Sequence, residues 1–342
     1  MHHYLSGVQQ IGIGVKNAHS AMHTYKHLFG MDVLIFDDEA SATLMTQYTG
    51  GDVYKRRAIL TMNLQGGGGL ELWQFLNRNP AAASTIQLGD LGIFAAIIKS
   101  VNLEQSHQRL SKIDEVVVSD IFKSEASGNY FWLTDANKNT FKIIASNDWF
   151  QTGNHDMGGI VGSVIGVSDM EKAILFYQSV LGIDVILYDT EAIENKQRIR
   201  KVGISKKATG KGAFNKLLGD VVIELVQVLD RVPAKIYQDR FWGDCGFIHL
   251  CFDVLDMQAL KKHAISKGHD FSVDSSDSFA MDHAAGRFCY IEDPDGTLIE
   301  LVETHKVPIL KKIGWYLDLR KRNIEKPLPN WMIKMLAISK VK

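Results

Sequence analysis

Strand-like and helix-like apolar patterns follow one another in a repeating order along this chain. The segment "IGIGVKNAHSAMHTYKHLFGMDV" at 11–33 begins as an apolar strand and continues with apolar residues at helical spacing. The segment "VIGVSDMEKAILFYQSVLGIDV" at 164–185 has the same order, and the two align without gaps around Val15 and Val167. In both, the helical stripe ends at a glycine, the residue that most often closes a helix. The pattern predicts two copies of one strand–helix unit.

Two fainter copies begin with the apolar strands "GIFAAIIKSV" at 92–101 and "GFIHLCFDVLD" at 246–256, each followed by a helical pattern. Alternating or apolar stretches such as "RAILTMNL" and "RFCYIED" come after the helices, separated by Gly, Asn and Asp. Such stretches are typical of strands joined by turns. The chain is therefore predicted to be an α+β protein of four modules, each a strand, a helix and about three further strands (βαβββ).

Each module ends in an apolar strand that carries one ionisable residue. In the last copy, Leu298, Glu300 and Val302 share one face, and the opposite face is also largely apolar, as in a buried strand. A buried carboxylate is costly unless it is paired, hydrogen-bonded or bound to a metal, so Glu300 requires a partner. The four copies are "LELW" at 70–73, "FKII" at 141–144, "IELV" at 223–226 and "IELV" at 299–302.

With phrases such as "FYQSVLGIDV" and "RFCYIEDPDGTLIELVE", the chain resembles the vicinal oxygen chelate superfamily, which includes glyoxalase I, methylmalonyl-CoA epimerase and extradiol dioxygenases. The resemblance covers about residues 8 to 304. It implies that modules pair into two curved, eight-stranded half-barrels, and that a divalent metal sits inside such a half-barrel. We expect a glyoxalase-like domain over residues 1–150, a second one over 157–304, and a basic tail over 305–342.

The resemblance also implies that the metal ligands come from the first and last strands of two paired modules. In chain order those positions are Gln10 and Glu71, Ala95 and Lys142, Gly162 and Glu224, and His249 and Glu300.

The choice of ligands depends on which modules pair. If the outer modules pair, Gln10, Glu71, His249 and Glu300 form a site with the ligand set of glyoxalase I. The middle modules then form a metal-free site in which Lys142 neutralises Glu224. If neighbours pair, Glu224 becomes the alternative third ligand beside His249 and Glu300. We favour the outer pairing because it gathers the good ligands in one site.

One imidazole with carboxylate and amide oxygens suits zinc, nickel, cobalt or manganese. The resemblance then implies an isomerase or lyase that chelates two adjacent oxygens of a small-molecule substrate and moves a proton through an enediolate. Glu300 stands at the position of the family's catalytic base, and Glu71 has the mirrored role. Trp73 and Cys251 are candidates for lining the cavity, although core packing explains either. A thiol cofactor is left open.

Three other functions compete with this one. A thiol transferase of the antibiotic-resistance type usually has two histidine ligands, so the single His249 argues against it. A non-catalytic small-molecule-binding or resistance protein of the same fold would carry the ligand set without holding a stoichiometric metal. An extradiol dioxygenase would need two histidines and one carboxylate, and Gln10 and Gly162 argue against it.

Composition and charge limit the partners and the cellular location that we expect for this protein. A formal net charge of -1 over 342 residues gives no general reason to expect a nucleic-acid partner. The three cysteines lack metal-type spacing, and no apolar run has the length of a membrane span, so we expect a cytoplasmic protein, with a homodimer possible. The basic segment 196–216 is predicted to be a solvated loop. The tail has short apolar stripes that favour packing over its own domains or a partner subunit.

Overall fold

The computed structural model describes residues 4–83, 85–194, 196–276, 279–281, 284–310 and 315–341. The four predicted βαβββ modules are present in this part of the chain. Module one contains β1 (Leu5–Gly14), α1 (Ala18–Phe29), β2 (Val33–Ser41), β3 (Lys55–Met62) and β4 (Gly69–Phe75). Module two contains β5 (Gly92–Ser100), α2 (Leu103–Leu110), β6 (Val117–Val118), β7 (Tyr130–Thr134) and β8 (Thr140–Ala145).

The second half of the chain repeats this order. Module three contains β9 (Met157–Gly166), α3 (Met170–Ser179), β10 (Val185–Glu194), β11 (Gln197–Lys206), the short α4 (Asn215–Leu218) and β12 (Val221–Val228). Module four contains β13 (Gly246–Val254), α5 (Met257–Ser266), β14 (Val273–Asp274), β15 (Phe279–Met281), β16 (Ala284–Glu292) and β17 (Leu298–Leu310). The chain continues with β18 (Trp315–Asp318), α6 (Asn330–Lys334) and a 3₁₀ helix (Met335–Ser339).

Each module helix begins at a residue whose side chain caps it. Asn17, Asn102, Asp169 and Asp256 accept a hydrogen bond from the backbone N–H three residues further on. A side-chain oxygen at this position satisfies one of the free N–H groups of the first helical turn, so the same local signal fixes the start of all four helices.

The modules pair as outer with outer and middle with middle. Modules one and four form one sheet, here called the outer-module sheet, in the order β14-β16-β17-β13-β1-β4-β3-β2, to which β15 and β18 add at β16 and β17. Modules two and three form the middle-module sheet, in the order β10-β11-β12-β9-β5-β8-β7-β6. Each sheet is joined at its centre by the antiparallel first strands of its two modules, β1 with β13 and β5 with β9. The predicted fold class is confirmed.

Neighbouring modules meet through their helices. The hydroxyl of Tyr25 in α1 donates to Asp135, in the turn between β7 and β8, over 2.7 Å. The hydroxyl of Tyr177 in α3 donates to Asp293, in the turn between β16 and β17, over 3.1 Å. Both tyrosines are fully buried in the main apolar core, which contains residues of all four modules. The two sheets are thus held together by one continuous core.

The prediction of a solvated loop over 196–216 is wrong for its first half, because Gln197–Lys206 forms β11. Ile199, Val202 and Ile204 are buried along this strand. The intervening cations are paired, with Arg200 beside Asp189 and Lys201 beside Glu194. The sequence did not indicate this strand, because the acidic partners of its cations lie on the adjacent strand β10 and not near them in the basic segment.

The C-terminal segment packs over the protein's own sheet. Strand β17 continues beyond residue 304 to Leu310, and the chain later folds back over module one. Leu328 and Ile333 are buried in a cluster with Val33, Met62 and Leu217. This arrangement agrees with the interpretation that the apolar stripes of the tail pack against its own domains. None of the helices in the described part of the chain has the length and hydropathy of a transmembrane segment.

Candidate metal centre

Four adjacent strands at the centre of the outer-module sheet carry the predicted ligands. Gln10 lies on β1, Glu71 on β4, His249 on β13 and Glu300 on β17. Gly12 of β1 is the register partner of both Glu71 and His249. A Cβ atom at Gly12 would lie 2.4 Å from Cε1 of His249, so the glycine provides the space that the imidazole occupies. Strand pairing and this gap bring the side chains together.

The side chains converge on one point. Nε2 of His249 lies 3.2 Å from Oε2 of Glu71 and 3.1 Å from Oε2 of Glu300. Nε2 of Gln10 donates to Oε2 of Glu300 over 3.4 Å. All four residues are buried. One ligand atom from each of Glu71, His249 and Glu300 lies within 4.8 Å of the others, so this group can hold a metal ion.

Unpaired polar atoms support a metal at this point. Oε1 of Gln10, Oε2 of Glu71 and Nε2 of His249 are buried and form no hydrogen bond of good geometry, although Nε2 of His249 lies 3.2 Å from Oε2 of Glu71. Buried acceptors without a donor are rare in folded proteins, because each loses its hydration without replacement. A divalent cation among two carboxylates, an imidazole and an amide oxygen would satisfy them together. The donor set therefore fits the metal implied by the sequence.

Electrostatics couples the three ionisable groups. Burial alone would lower the pKa of His249, but the carboxylates of Glu300 and Glu71 outweigh burial and raise it to about 9. Burial alone would raise the pKa of Glu300, but the neighbouring His249 outweighs it and lowers that pKa. Without a metal, a proton on His249 thus stabilises the carboxylates. Metal binding must displace that proton, because only the neutral imidazole is a ligand.

Tyr290 contacts His249 and also lines the cavity, and the sequence analysis did not identify it. Its hydroxyl lies 3.2 Å from Nδ1 of His249. When Nε2 is the metal ligand, Nδ1 carries the proton and donates to the hydroxyl, which fixes the tautomer. Tyr290 is the register partner of Glu300 in the adjacent strand β16. The pairing of β16 with β17 is therefore the signal that would have identified Tyr290 as a neighbour of the site.

The equivalent point of the middle-module sheet is closed by an ion pair. Nζ of Lys142 lies 2.6 Å from Oε2 of Glu224, and both side chains are buried. The hydroxyl of Tyr188 also donates to Glu224. Burial would raise the pKa of Glu224, but Lys142 and Tyr188 outweigh it and lower it. Glu224 is thus neutralised by Lys142 and lies in a different sheet from His249, while Ala95 and Gly162 contribute no ligand atom.

A cavity of about 620 Å³ opens beside the metal centre, on the concave face of the outer-module sheet. Phe36 of β2 and Phe288 of β16 line it together with Gln10 of the central strand β1, which shows that the sheet curls around it. Trp73 lies on the cavity wall. Cys251 is fully buried, and its Sγ lies 3.8 Å from Oε1 of Gln9.

Comparison with known proteins gives a family match in the second half of the chain. Residues 159–301 match the family model described as the Glyoxalase/Bleomycin resistance protein/Dioxygenase superfamily. A search of curated proteins gives no match. The resemblance to the vicinal oxygen chelate superfamily, in a tandem arrangement, is confirmed.

Solved structures share the fold along most of the chain. A putative dioxygenase from Bacillus subtilis is 14% identical with a TM-score of 0.56, and the similarity covers 88% of this chain and 86% of that one. Glyoxalase I from Zea mays is 14% identical with a TM-score of 0.53, and the similarity covers 87% of this chain and 92% of that one. At these identities the similarity establishes the fold alone.

Proposed function

We propose that the chain is a metal-dependent isomerase or lyase of the glyoxalase I or epimerase type, with one metal centre formed by Gln10, Glu71, His249 and Glu300. The observation that carries the proposal is the set of unpaired buried atoms on Gln10, Glu71 and His249 that surround one point next to a large cavity. Zinc, nickel, cobalt and manganese all suit these ligands.

A divalent metal at this point would act as a Lewis acid toward two adjacent oxygens of a substrate and make the neighbouring C–H bond acidic. The protein's own groups perform the proton movement. Glu300 lines the cavity, and its ionised carboxylate accepts the substrate proton and returns it to an adjacent carbon or oxygen. Glu71 lies on the other side of His249 and has the mirrored role for a substrate bound in the opposite sense.

The first test is the metal content of the protein as isolated, followed by titration of cobalt into the metal-free protein. We expect one metal per chain, and we expect His249→Ala to lose it while the far-ultraviolet circular dichroism is kept. Unchanged metal content in His249→Ala would assign that side chain to packing. The catalytic step is tested by incorporation of solvent deuterium into a panel of α-hydroxy carbonyl compounds and hemithioacetals.

A second candidate is non-catalytic binding of small molecules. The observation that favours it is the ion cluster of His249, Glu71 and Glu300, which a proton stabilises without any metal. A protein that binds its small-molecule ligand at full affinity with no stoichiometric metal would support this second function and contradict the first.

A further inference from the structure

The cavity above the metal centre has a roof that the outer-module sheet does not supply. Its floor and sides come from modules one and four, including the strands that carry Glu71 and Glu300, and from Trp242, which precedes β13. The roof comes from two segments outside this sheet, one around α4 in module three and one at the C-terminal end. Their lining residues are all apolar apart from Ser339, namely Phe214, Leu217, Leu218, Met335, Leu336 and Ile338.

The roof is fastened to the rest of the protein. The backbone N–H of Leu328 donates to the carbonyl of Ala213 over 2.9 Å, which ties the C-terminal segment to the segment around α4. At the far end, the N–H of Val341 donates to the carbonyl of Asp32 over 2.8 Å. Nζ of Lys340 lies 2.7 Å from the carboxylate of Asp32. The C-terminal segment is therefore a built part of the cavity.

Most of the cationic side chains on the cavity wall are already paired with acidic side chains of the protein. Among the described residues of the wall, the cations are Arg56, Arg287 and Lys306. Arg56 is buried and lies 2.7 Å from the carboxylate of Asp38, and Arg287 lies 2.7 Å from that of Asp274. Lys306 is exposed to solvent. A carboxylate or phosphate entering the cavity would find both arginines already neutralised.

Cations of the basic segment 196–216 in module three are also held by acceptors of the protein. Lys207 lies 2.7 Å from Asp220, and Lys211 lies 2.8 Å from Glu325. Nζ of Lys206 is buried and donates to the carbonyl of Leu5. These cations hold the two roof segments and their neighbours in place, so they are occupied by protein acceptors rather than by an anionic cofactor.

We propose that the substrate is a lipophilic molecule with an uncharged apolar body and two adjacent oxygens at one end. The apolar body lies against the roof formed by α4 and the C-terminal segment, and the oxygens face Glu71 and Glu300. This inference rests on the proposed function for the same site. The cavity volume lies in the range that holds a drug-sized ligand, and apolar contact with the roof supplies most of the affinity.

The probe for the test is N-phenyl-naphthylamine, a neutral fluorophore that brightens in apolar surroundings, titrated into metal-free protein. We expect saturable binding that a long-chain α-hydroxy ketone displaces and that glutathione does not. Leu336→Gln and Ile338→Gln should each weaken probe binding by about tenfold, because a polar amide replaces an apolar contact. Ile338 is 62% exposed, so its substitution leaves folding intact.

The matched control is Ile193→Gln, which makes the same change at a position 78% exposed on β10 of the middle-module sheet. It should bind the probe as the unmodified protein does. Equal binding by Ile338→Gln, Leu336→Gln and Ile193→Gln, or displacement of the probe by glutathione, would overturn the lipophilic assignment.

Cobalt titration of the same variants separates the two proposals. Full metal binding together with absent probe binding would reject the substrate class and leave the metal chemistry standing. Probe binding that depends on the roof, in a protein that takes up no metal, would reject the metal chemistry and support the lipophilic cavity.

Discussion

Nε2 of Gln10 donates a hydrogen bond to Oε2 of Glu300 over 3.4 Å, although 290 positions separate the two residues in the chain. They meet because β1 and β17 both flank β13 in the outer-module sheet. The two ends of the chain thus build one site, while the middle of the chain builds another sheet. This arrangement makes the ligand set testable by substitution.

Glu71→Ala should weaken metal binding about as much as Glu300→Ala, because each removes one carboxylate beside Nε2 of His249. A lost ligand of this kind costs at least about tenfold in affinity. Isothermal titration with cobalt measures the effect. Glu224→Ala is the control, because this glutamate lies in the middle-module sheet; a loss of metal there with retention in Glu71→Ala would contradict the outer-module site.

Glu300→Gln should keep part of the metal affinity and abolish proton exchange at the substrate carbon. An amide oxygen coordinates weakly, but an amide does not accept a proton at neutral pH. Nuclear magnetic resonance of substrate carbon-bound hydrogen in deuterated water measures the exchange. Glu303→Gln makes the same change on the same strand and should exchange normally. Full exchange in Glu300→Gln would transfer the role of base to Glu71.

Tyr290→Phe should lower the affinity for metal by about 10- to 100-fold, because Nδ1 of His249 loses the hydroxyl that fixes its tautomer. The visible spectrum of bound cobalt should shift as well, since the imidazole is held less rigidly. Tyr48→Phe removes a hydroxyl that bonds to Glu292, away from the centre, and serves as the control. Identical cobalt affinity and spectrum in Tyr290→Phe would show that Tyr290 only fills space.

Lys142→Met should destabilise the fold by about 3–5 kcal/mol, because Glu224 would remain buried without its cation. The free energy of unfolding in urea measures this. Adding Glu224→Gln to Lys142→Met should restore much of the loss, since the second substitution removes the uncompensated charge. Metal content should stay unchanged in both variants. Equal stability of the single and double variants would contradict the role of this ion pair.

Asp253 should make stability fall as pH rises. Burial raises its pKa to about 7, against the hydrogen bonds from Ser6 and Gln9, so the folded state holds a proton that the unfolded state has released above about pH 4. This contribution to the free energy of unfolding is fully present below about pH 4. It falls by about 1.4 kcal/mol per pH unit between about pH 4 and 7.

Asp253→Asn cannot titrate and should lack this part of the pH dependence, so its stability relative to the unmodified protein should rise between about pH 4 and 7. Urea unfolding at several pH values gives the comparison. Parallel stability curves for the two proteins would show that Asp253 is ionised in the folded state at neutral pH.

The sequence by itself determined the modules and the positions that carry chemistry. The strand–helix repeat and one ionisable residue in each closing strand are local patterns, and local backbone preferences act on them directly. Glu300 therefore stands out from the strand pattern alone, whereas His249 is singled out by the family resemblance. The same pattern favours the outer pairing only because that pairing gathers the good ligands.

Only the tertiary structure decided which strands meet. An alternating pattern shows which face of a strand is buried, but it does not name the neighbouring strand, because every exposed strand edge offers similar N–H and C=O groups. Contacts between distant segments made that choice, with Tyr25 held to Asp135 and β1 paired with β13. Other tertiary contacts place Tyr290 beside His249 and Leu336 on the cavity wall, and they pair the cations of β11 with acidic residues of β10.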